Sequence, residues 1–284
     1  MYECRIIEDS THESGEGTRL TTFVVTYPRI VHAEMLTHRV FTRNSSSSRA
    51  IPNAKLVQKI KDDPFIPESW GANQKGMQAG DPLGDSDSRI ANSTWLVARD
   101  NALEYSELLA NIGVHKQLCN RLLEPWMWIT VVITSTEWDN FFDLRCSPLA
   151  QPEIAKIAYM MRDAYKASVP VKRDRHFPFV TEEERKTHCD WDLARMSAAR
   201  CARVSYLTHD GQHDPDRDME LAERLMKDKH WSPWEHMAAA RYEYYWEYDW
   251  GVPAYIRNPS TKFVRNLRGW EQWRSVLDWR SLCL

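Results

Sequence analysis

The sequence contains no uninterrupted run of about 18 apolar residues, so it offers no candidate for a membrane-spanning helix. Cysteine is sparse: Cys4, Cys119, Cys146, Cys189, Cys201 and Cys283 form no C-x-x-C pair and show no zinc-ligand spacing. Scattered thiols of this kind argue for reduced cysteines and against a disulfide framework. A basic excess is missing too. The net charge of −3 argues against a protein that coats nucleic acid through a broad positive surface. The opening MYECRIIEDS carries charges where a secretory leader needs an apolar stretch. These absences lead to the expectation of a cytoplasmic protein with no membrane and no nucleic-acid partner. Any anion site must then be local, built from a few placed arginines.

What is present fits a globular fold. With 284 residues and a hydrophobic fraction of 43%, the chain can bury a substantial core. The 13 tryptophans are read first as packing residues and only second as ligand-stacking ones. Leu20–Thr26 (LTTFVVT) and Trp128–Thr134 (WITVVIT) are rich in β-branched residues and predict strands, the first ended by Pro28. Ile30–Leu36 predicts a short helix, and residues 62–92 read as a long loop, a lid or a disordered segment. Helices are predicted over about 93–111, 114–124 and Glu153–Tyr165, where Ile154, Ile157, Ala158 and Met161 share one face. Another is predicted over about Asp216–Lys227, capped by Asp214 or Asp216, with Met219, Ala222 and Leu225 turned inward. Arg241–Trp250 reads as extended. The expected class is α+β, helices packed on an antiparallel sheet. One domain over 1–284 is expected, with candidate halves 1–168 and 181–284 joined by the basic, Pro-containing connector Val169–Val180.

The stretch Thr37–Arg49 (THRVFTRNSSSSR) packs His38, Arg39, Arg43 and Arg49 around Asn44 and four consecutive serines. Serine hydroxyls and backbone N–H groups donate to phosphate oxygens, and guanidinium adds charge-assisted, bidentate bonds. Composition alone allows a plainer reading, a solvated serine-rich loop or a phosphorylation target.

Spacing goes further. The segment resembles the signature of the flavin-dependent thymidylate synthases, an Arg-His-Arg followed by Ser, Asn, Ser and Arg at fixed offsets. The match here is His38, Arg39, Thr42, Asn44, Ser47 and Arg49, with Thr37 where most of that family has arginine. Glu137–Ile154 (EWDNFFDLRCSPLAQPEI), Trp70–Gln78 (WGANQKGMQ), Arg200–Tyr206 (RCARVSY) and His230–His236 (HWSPWEH) are each similar to family segments. Order differs: RCARVSY and HWSPWEH, expected as an opening strand, helix and turn, here follow the His-Arg signature instead of preceding it. Arg265–Trp273 (RNLRGWEQW) resembles the family's Asn-x-Arg-x-Trp segment, whose earlier counterpart here offers Thr134 and Thr136. Asn266 and Arg268 are therefore expected to take over the flavin binding that those threonines do not provide.

The resemblance implies FAD as cofactor, NADPH and methylenetetrahydrofolate as co-substrates, and dUMP as the small-molecule nucleotide that is methylated at C5. It implies no cysteine nucleophile, and no Pro-Cys pair occurs. Carried over, Ser47 and Arg145 would be catalytic, and Ser47, Ser48, Arg49, Arg121 and Arg145 would bind the nucleotide. Glu34, where many relatives have glutamine, would face the pyrimidine edge or orient His38 or Arg39. His38, Arg39, Asn44, Asn140, Ser205, His230, Ser232, Asn266 and Arg268 would line the flavin. Taken singly these residues have plainer roles: a helix cap for His230, a turn cap for Asn140, a buried strand serine for Ser205, surface ion pairing for the arginines. A homotetramer with sites where subunits meet is implied as well. Three alternatives stay open: a related methylase or hydroxymethylase acting on dCMP or UMP, a non-catalytic flavin- or nucleotide-binding relative, and a nucleic-acid binder using the Arg/Ser stretch.

Overall fold

The structure, a computed structural model, describes residues 1–206, 214–249 and 252–282, with the side chains of 205–206, 245–249, 252–255 and 279–282 outside the description. Its strands are β1 (Glu3–Thr11), β2 (Leu20–Pro28), β3 (Thr42–Ser45), β4 (Trp128–Ser135), β5 (Val171–Lys172), β6 (Arg175–His176), β7 (Ala238–Ala240), β8 (Tyr242–Asp249), β9 (Val252–Pro259), β10 (Phe263–Val264), β11 (Leu267–Arg268) and β12 (Trp270–Gln272). The main sheet runs β3-β4-β2-β1-β5, antiparallel except for the two-residue edge strand β5, which pairs parallel with β1. A smaller antiparallel sheet runs β12-β7-β6, and β8–β9 and β10–β11 are hairpins.

The helices are α1 (His32–Leu36), α2 (Asn53–Asp62), α3 (Asp85–Asn111), α4 (Lys116–Cys119), α5 (Asp139–Arg145), α6 (Pro152–Ala167), α7 (Glu182–Thr187), α8 (Asp190–Tyr206), α9 (Pro215–Lys227) and α10 (Trp273–Leu282). The mixed class read from the sequence is the one observed. Four local expectations change. Helix α3 starts at Asp85, because SDSRIANS is helix-compatible and Asp85 and Asp87 sit in its first turn, where negative charge suits the helix dipole. Residues 63–84 stay irregular yet are held: Gly71 bridges Pro82, and the Trp70 indole donates to Asn92. The helix predicted over 114–124 is instead α4 followed by a 3-10 turn, Asn120–Trp126, which contains Pro125. RCARVSY lies inside α8 instead of opening a strand.

Strand β2 is buried at every position, although it is rich in threonine. Successive side chains point to opposite faces, so a strand buried throughout needs a layer on each side. On one face Phe23, Val25 and Tyr27 join Ile129, Val131 and Ile133 of β4 against Ile154, Ile157, Ala158 and Met161 of α6. The helical face read from the sequence is the one that packs here. On the other face Val24 and Val132 meet Phe179, Cys201 and Val204, so α8 supplies the second layer. Helix α9 packs on α8 with Leu221, Ala222 and Leu225 buried, while Met219 is only half-buried. Asp214 is its N-cap, accepting from the Arg217 N–H.

Several polar groups between the layers pair with one another. Ser10, His176, Thr22, Thr134 and His236 form a buried chain of hydrogen bonds, with contacts of 2.9, 2.7, 2.7 and 2.8 Å in that order. Arg200 is 1% exposed, and its guanidinium donates to Asp218, Glu184 and the Phe179 carbonyl. A buried charge needs such complete pairing. Trp138, Trp234 and Trp270 are fully buried, so at these positions tryptophan is packing.

His236 is fully buried, and burial depresses its pKa from 6.5 to about 3. It stays neutral in the native state, while the unfolded chain takes up its proton as pH falls through 6.5. Its contribution is therefore complete above pH 6.5 and is lost between 6.5 and 3. Lowering pH from 7.5 to 5 should cost about 2 kcal/mol from this site. Glu8, lifted to about 7 by burial against the pull of Arg185 and Arg173, works in the opposite sense. The informative quantity is thus the difference between the protein and His236→Asn. Urea unfolding at the two pH values should show the variant losing about 2 kcal/mol less; equal losses would refute this account.

Candidate active site

Strand β3 is four residues long, and β4 fixes its register, pairing Thr42 with Thr134 and Asn44 with Val132. The chain leaving it runs along the rim of an open cleft of about 560 Å³. Asn44, Ser45, Ser46, Ser47, Arg49 and Ala50 form one wall, and Arg29, His32, Arg43, His115, Gln117, Arg121, His230 and Ser232 complete the lining. Four arginines therefore converge on one cleft, in a chain whose net charge is −3.

Each wall has a local cause. Asn44 is buried, its amide donating to the Cys201 carbonyl of α8 (2.7 Å) and accepting from Ser232 (3.3 Å). That one side chain ties β3 to the two later segments. Arg43 donates to the carbonyls of Met35, Leu36 and His38, satisfying the end of α1. Asn120 donates to the Ser48 and Ile51 carbonyls, fixing the turn after Ser47. Below the cleft, Glu124 accepts from Ser48 (2.8 Å) and pairs with Arg29 (2.9 Å) and Arg121 (3.0 Å). Burial resists ionisation of Glu124, but Ser48, Arg29 and Arg121 outweigh it and hold the carboxyl below its ordinary range. His32 shares a 2.8 Å hydrogen bond with the Tyr27 hydroxyl, and burial, with Arg29 and Arg43 nearby, lowers its pKa to about 4.

Of the residues singled out from the sequence, Asn44, Ser47, Arg49, Arg121, His230 and Ser232 come together here. Others do not line this cleft. Ser48 turns inward to Glu124 and is 1% exposed. Arg39 and Asn140 are exposed elsewhere. His38 is buried between Phe41 and Phe141 and accepts from Arg145 Nε at 3.1 Å, while Arg145 also reaches the Thr37 hydroxyl at 3.3 Å. Burial, then Arg145 and Arg43, lower the His38 pKa to about 4, so the ring is neutral, with Nε2 as acceptor. Glu34 is half-buried, and one of its carboxylate oxygens is buried with no hydrogen-bond partner. The side chain of Ser205 lies outside the described residues.

Asn266 and Arg268 form a third group. Asn266 donates to the Val40 carbonyl and to Thr42 and accepts from Gln272. The Arg268 N–H donates to Thr136, and its guanidinium pairs with Glu137. The late hairpin therefore docks on the same strand ends where the sequence offers threonines.

Reading the sequence passed over Arg29, His32, His115, Gln117 and Glu124. Glu124 carried a faint signal, standing three residues after Arg121. Arg29 and His115 carried none, because separate turns bring them to the cleft.

The model of the family described as thymidylate synthase complementing protein matches residues 5–171, more than half of the chain. The chain belongs to that family. Membership carries the coarse chemistry, methylation of a pyrimidine nucleotide at C5. The matched span holds the His-Arg signature, the WGANQKGMQ loop and Glu137–Ile154; the segments after 171 lie beyond it. Among solved structures, the chain is similar to a UMP/dUMP methylase PolB from Streptomyces cacaoi bound with 5-Br UMP. That likeness has 15% identity, covers 58% of this chain and 88% of that one, and has a TM-score of 0.49. A second structure of that methylase, bound with 5-Br dUMP, has 15% identity, covers 58% and 90% of the two chains, and has a TM-score of 0.42. No curated protein matches. Among the described residues no helix is long and apolar enough to cross a membrane.

Proposed function

We propose that this protein transfers a one-carbon unit to C5 of dUMP and reduces it to the methyl group of dTMP, with FAD as cofactor and methylenetetrahydrofolate and NADPH as co-substrates. The observation that carries this reading is the convergence of Arg29, Arg43, Arg49 and Arg121 on a cleft walled by Ser45, Ser46 and Ser47. Arg29, Arg43 and Arg121 are partly committed to protein groups. Arg49 is exposed and makes no ion pair among the described residues, which suits it to a ligand phosphate. Ser47 lies beside it on the same wall. In this reading Arg145 orders His38, with the proton held on His38 Nδ1.

The donor set also fits the pyrophosphate of FAD. His230 and Ser232 border the arginines, and Asn44 fixes Ser232, so these three would hold the cofactor from that side. Asn266 and Arg268 would hold it from the hairpin docked at Thr136, the role expected of them from the sequence. Bound FAD supplies the redox chemistry that turns a transferred methylene into a methyl group. A cytosine nucleotide is the second reading, motivated by Glu34 standing where many relatives have glutamine.

Assembly belongs to the same reading. Helix α3 has 27 residues, about 40 Å of length, and few of them are fully buried. Ile90, Val97, Tyr105, Leu108 and Ile112 stand out from it at 56–69% exposure, and Leu118 and Leu122 continue the patch beside the cleft residues Gln117 and Arg121. Monomers rarely leave such a stripe uncovered. A second copy of the chain is its proposed cover, within a homotetramer.

Purified protein incubated with dUMP, methylenetetrahydrofolate, NADPH and FAD should form dTMP, read by mass spectrometry. Turnover of dCMP alone would favour the second reading, and no turnover with either nucleotide would refute both. Arg49→Ala should weaken dUMP binding about 10- to 100-fold while leaving deoxyuridine unaffected; equal losses for both would remove Arg49 from the phosphate. Asn266→Ala with Arg268→Ala should raise the FAD dissociation constant at least tenfold, and an unchanged constant would end the flavin role of the hairpin. Sedimentation velocity should show an assembly that Val97→Lys with Leu108→Lys breaks into monomers; an assembly insensitive to both changes would place the interface elsewhere.

A further inference from the structure

A second cavity, of about 330 Å³, lies where α2 meets β2 and β4. Its floor is apolar: Ile51, Leu56, Ile60 and Met127 are each at most 6% exposed. Trp126 and Trp128 add two indole rings, held by hydrogen bonds from their N–H groups to the carbonyls of Trp95 (3.2 Å) and Asp63 (3.1 Å). Within this apolar frame stand three hydroxyls. Thr26 and Thr130 share a 3.0 Å hydrogen bond, and Ser46 accepts from the Thr130 N–H at 3.1 Å. At the mouth stand the carboxylates of Glu3, Asp62 and Asp63 against two ammonium groups, that of Lys59 and the N-terminal one of Met1, which pairs with Asp63 at 2.8 Å.

An apolar, indole-walled cavity with a few fixed polar groups is the usual anatomy of a small-molecule site. Indole faces attract flat rings and cations, and a carboxylate-rich mouth selects against anions. This chemistry is the reverse of the arginine-lined cleft, so the two cavities select different ligands. They are not independent, however, because Ser46 lines both, and its N–H is tied to the Thr130 carbonyl at 2.8 Å. A displacement of Ser46 by a ligand on one side would be passed to Ser45 and Ser47 on the other.

We propose that this cavity is a second, regulatory site for a flat aromatic compound that carries positive charge, and that its occupancy changes nucleotide affinity in the cleft through Ser46. The coupling rests on the nucleotide reading above; the binding does not. Benzamidine and benzoate are matched probes of opposite charge and can be titrated calorimetrically into the whole protein. Benzamidine should bind with a dissociation constant below 1 mM, roughly the fragment range for a site of this kind, and at least tenfold more tightly than benzoate. Thr130→Phe should abolish binding by filling the cavity, and the surface pair Asp62→Asn with Asp63→Asn should weaken it severalfold without touching the core. Saturating benzamidine should then shift dUMP affinity at least threefold, and by linkage dUMP should shift benzamidine affinity equally. Equal binding of benzoate, or benzamidine binding unchanged in both variants, would overturn the site. Benzamidine binding with dUMP affinity unmoved would overturn the coupling. Failure of dUMP to bind, with benzamidine bound as described, would sink the nucleotide reading and leave the cavity assigned.

Discussion

The structure depends on one constraint, the burial of β2 and β4 on both faces. Neither strand can be stable with a single covering layer, because Val24 and Val132 on one side and Phe23, Val25 and Val131 on the other all need apolar partners. Helix α6 follows soon after β4 and supplies one layer. The other comes from α8, so a late segment of the chain completes the core around the early strands. Where the layers meet, the polar residues that β2 and β4 carry are not wasted: the threonines join His176 and His236 in one buried chain of hydrogen bonds.

The cleft inherits its geometry from that packing. Asn44 sits on the edge strand β3, and its amide is shared between the Cys201 carbonyl and the Ser232 hydroxyl. Docking α8 on the sheet therefore also sets where His230 and Ser232 stand. Glu124 plays the matching role beneath the arginines, spreading like charges that would otherwise repel by giving two of them a common anion. The site is assembled from turns, and the sheet and α8 hold those turns in place.

Much of this was legible in the sequence, for identifiable reasons. The strands LTTFVVT and WITVVIT and the helix from Glu153 announced themselves by β-branching and by helical periodicity, which depend only on near neighbours. The serine-rich stretch was singled out by the spacing of His38, Asn44, Ser47 and Arg49, since its composition alone left a solvated loop open. Less could be read where distant contacts decide. RCARVSY ends in a run that suits a strand, yet Arg200 needs Asp218 and Glu184 at once, and an α8 helix presents it to both. The separation of Arg145 from Ser47 was invisible as well, because Arg145 is drawn to His38, a partner more than a hundred residues away. Arg29, His32 and His115 reach the cleft through turns whose direction local pattern does not encode.

The two-layer requirement has a further consequence for how the chain is made. In this order of segments the sheet is synthesised before its second cover: α8 ends at Tyr206, about 70 residues after β4 is complete. At typical elongation rates of about 5–20 residues per second that is roughly 4–14 s. Through that interval Val24 and Val132 present an uncovered apolar surface on a nascent chain still tethered to the ribosome. The late position of α8 thus makes this face of the sheet the last to be covered, a delay that a chain opening with α8 would avoid.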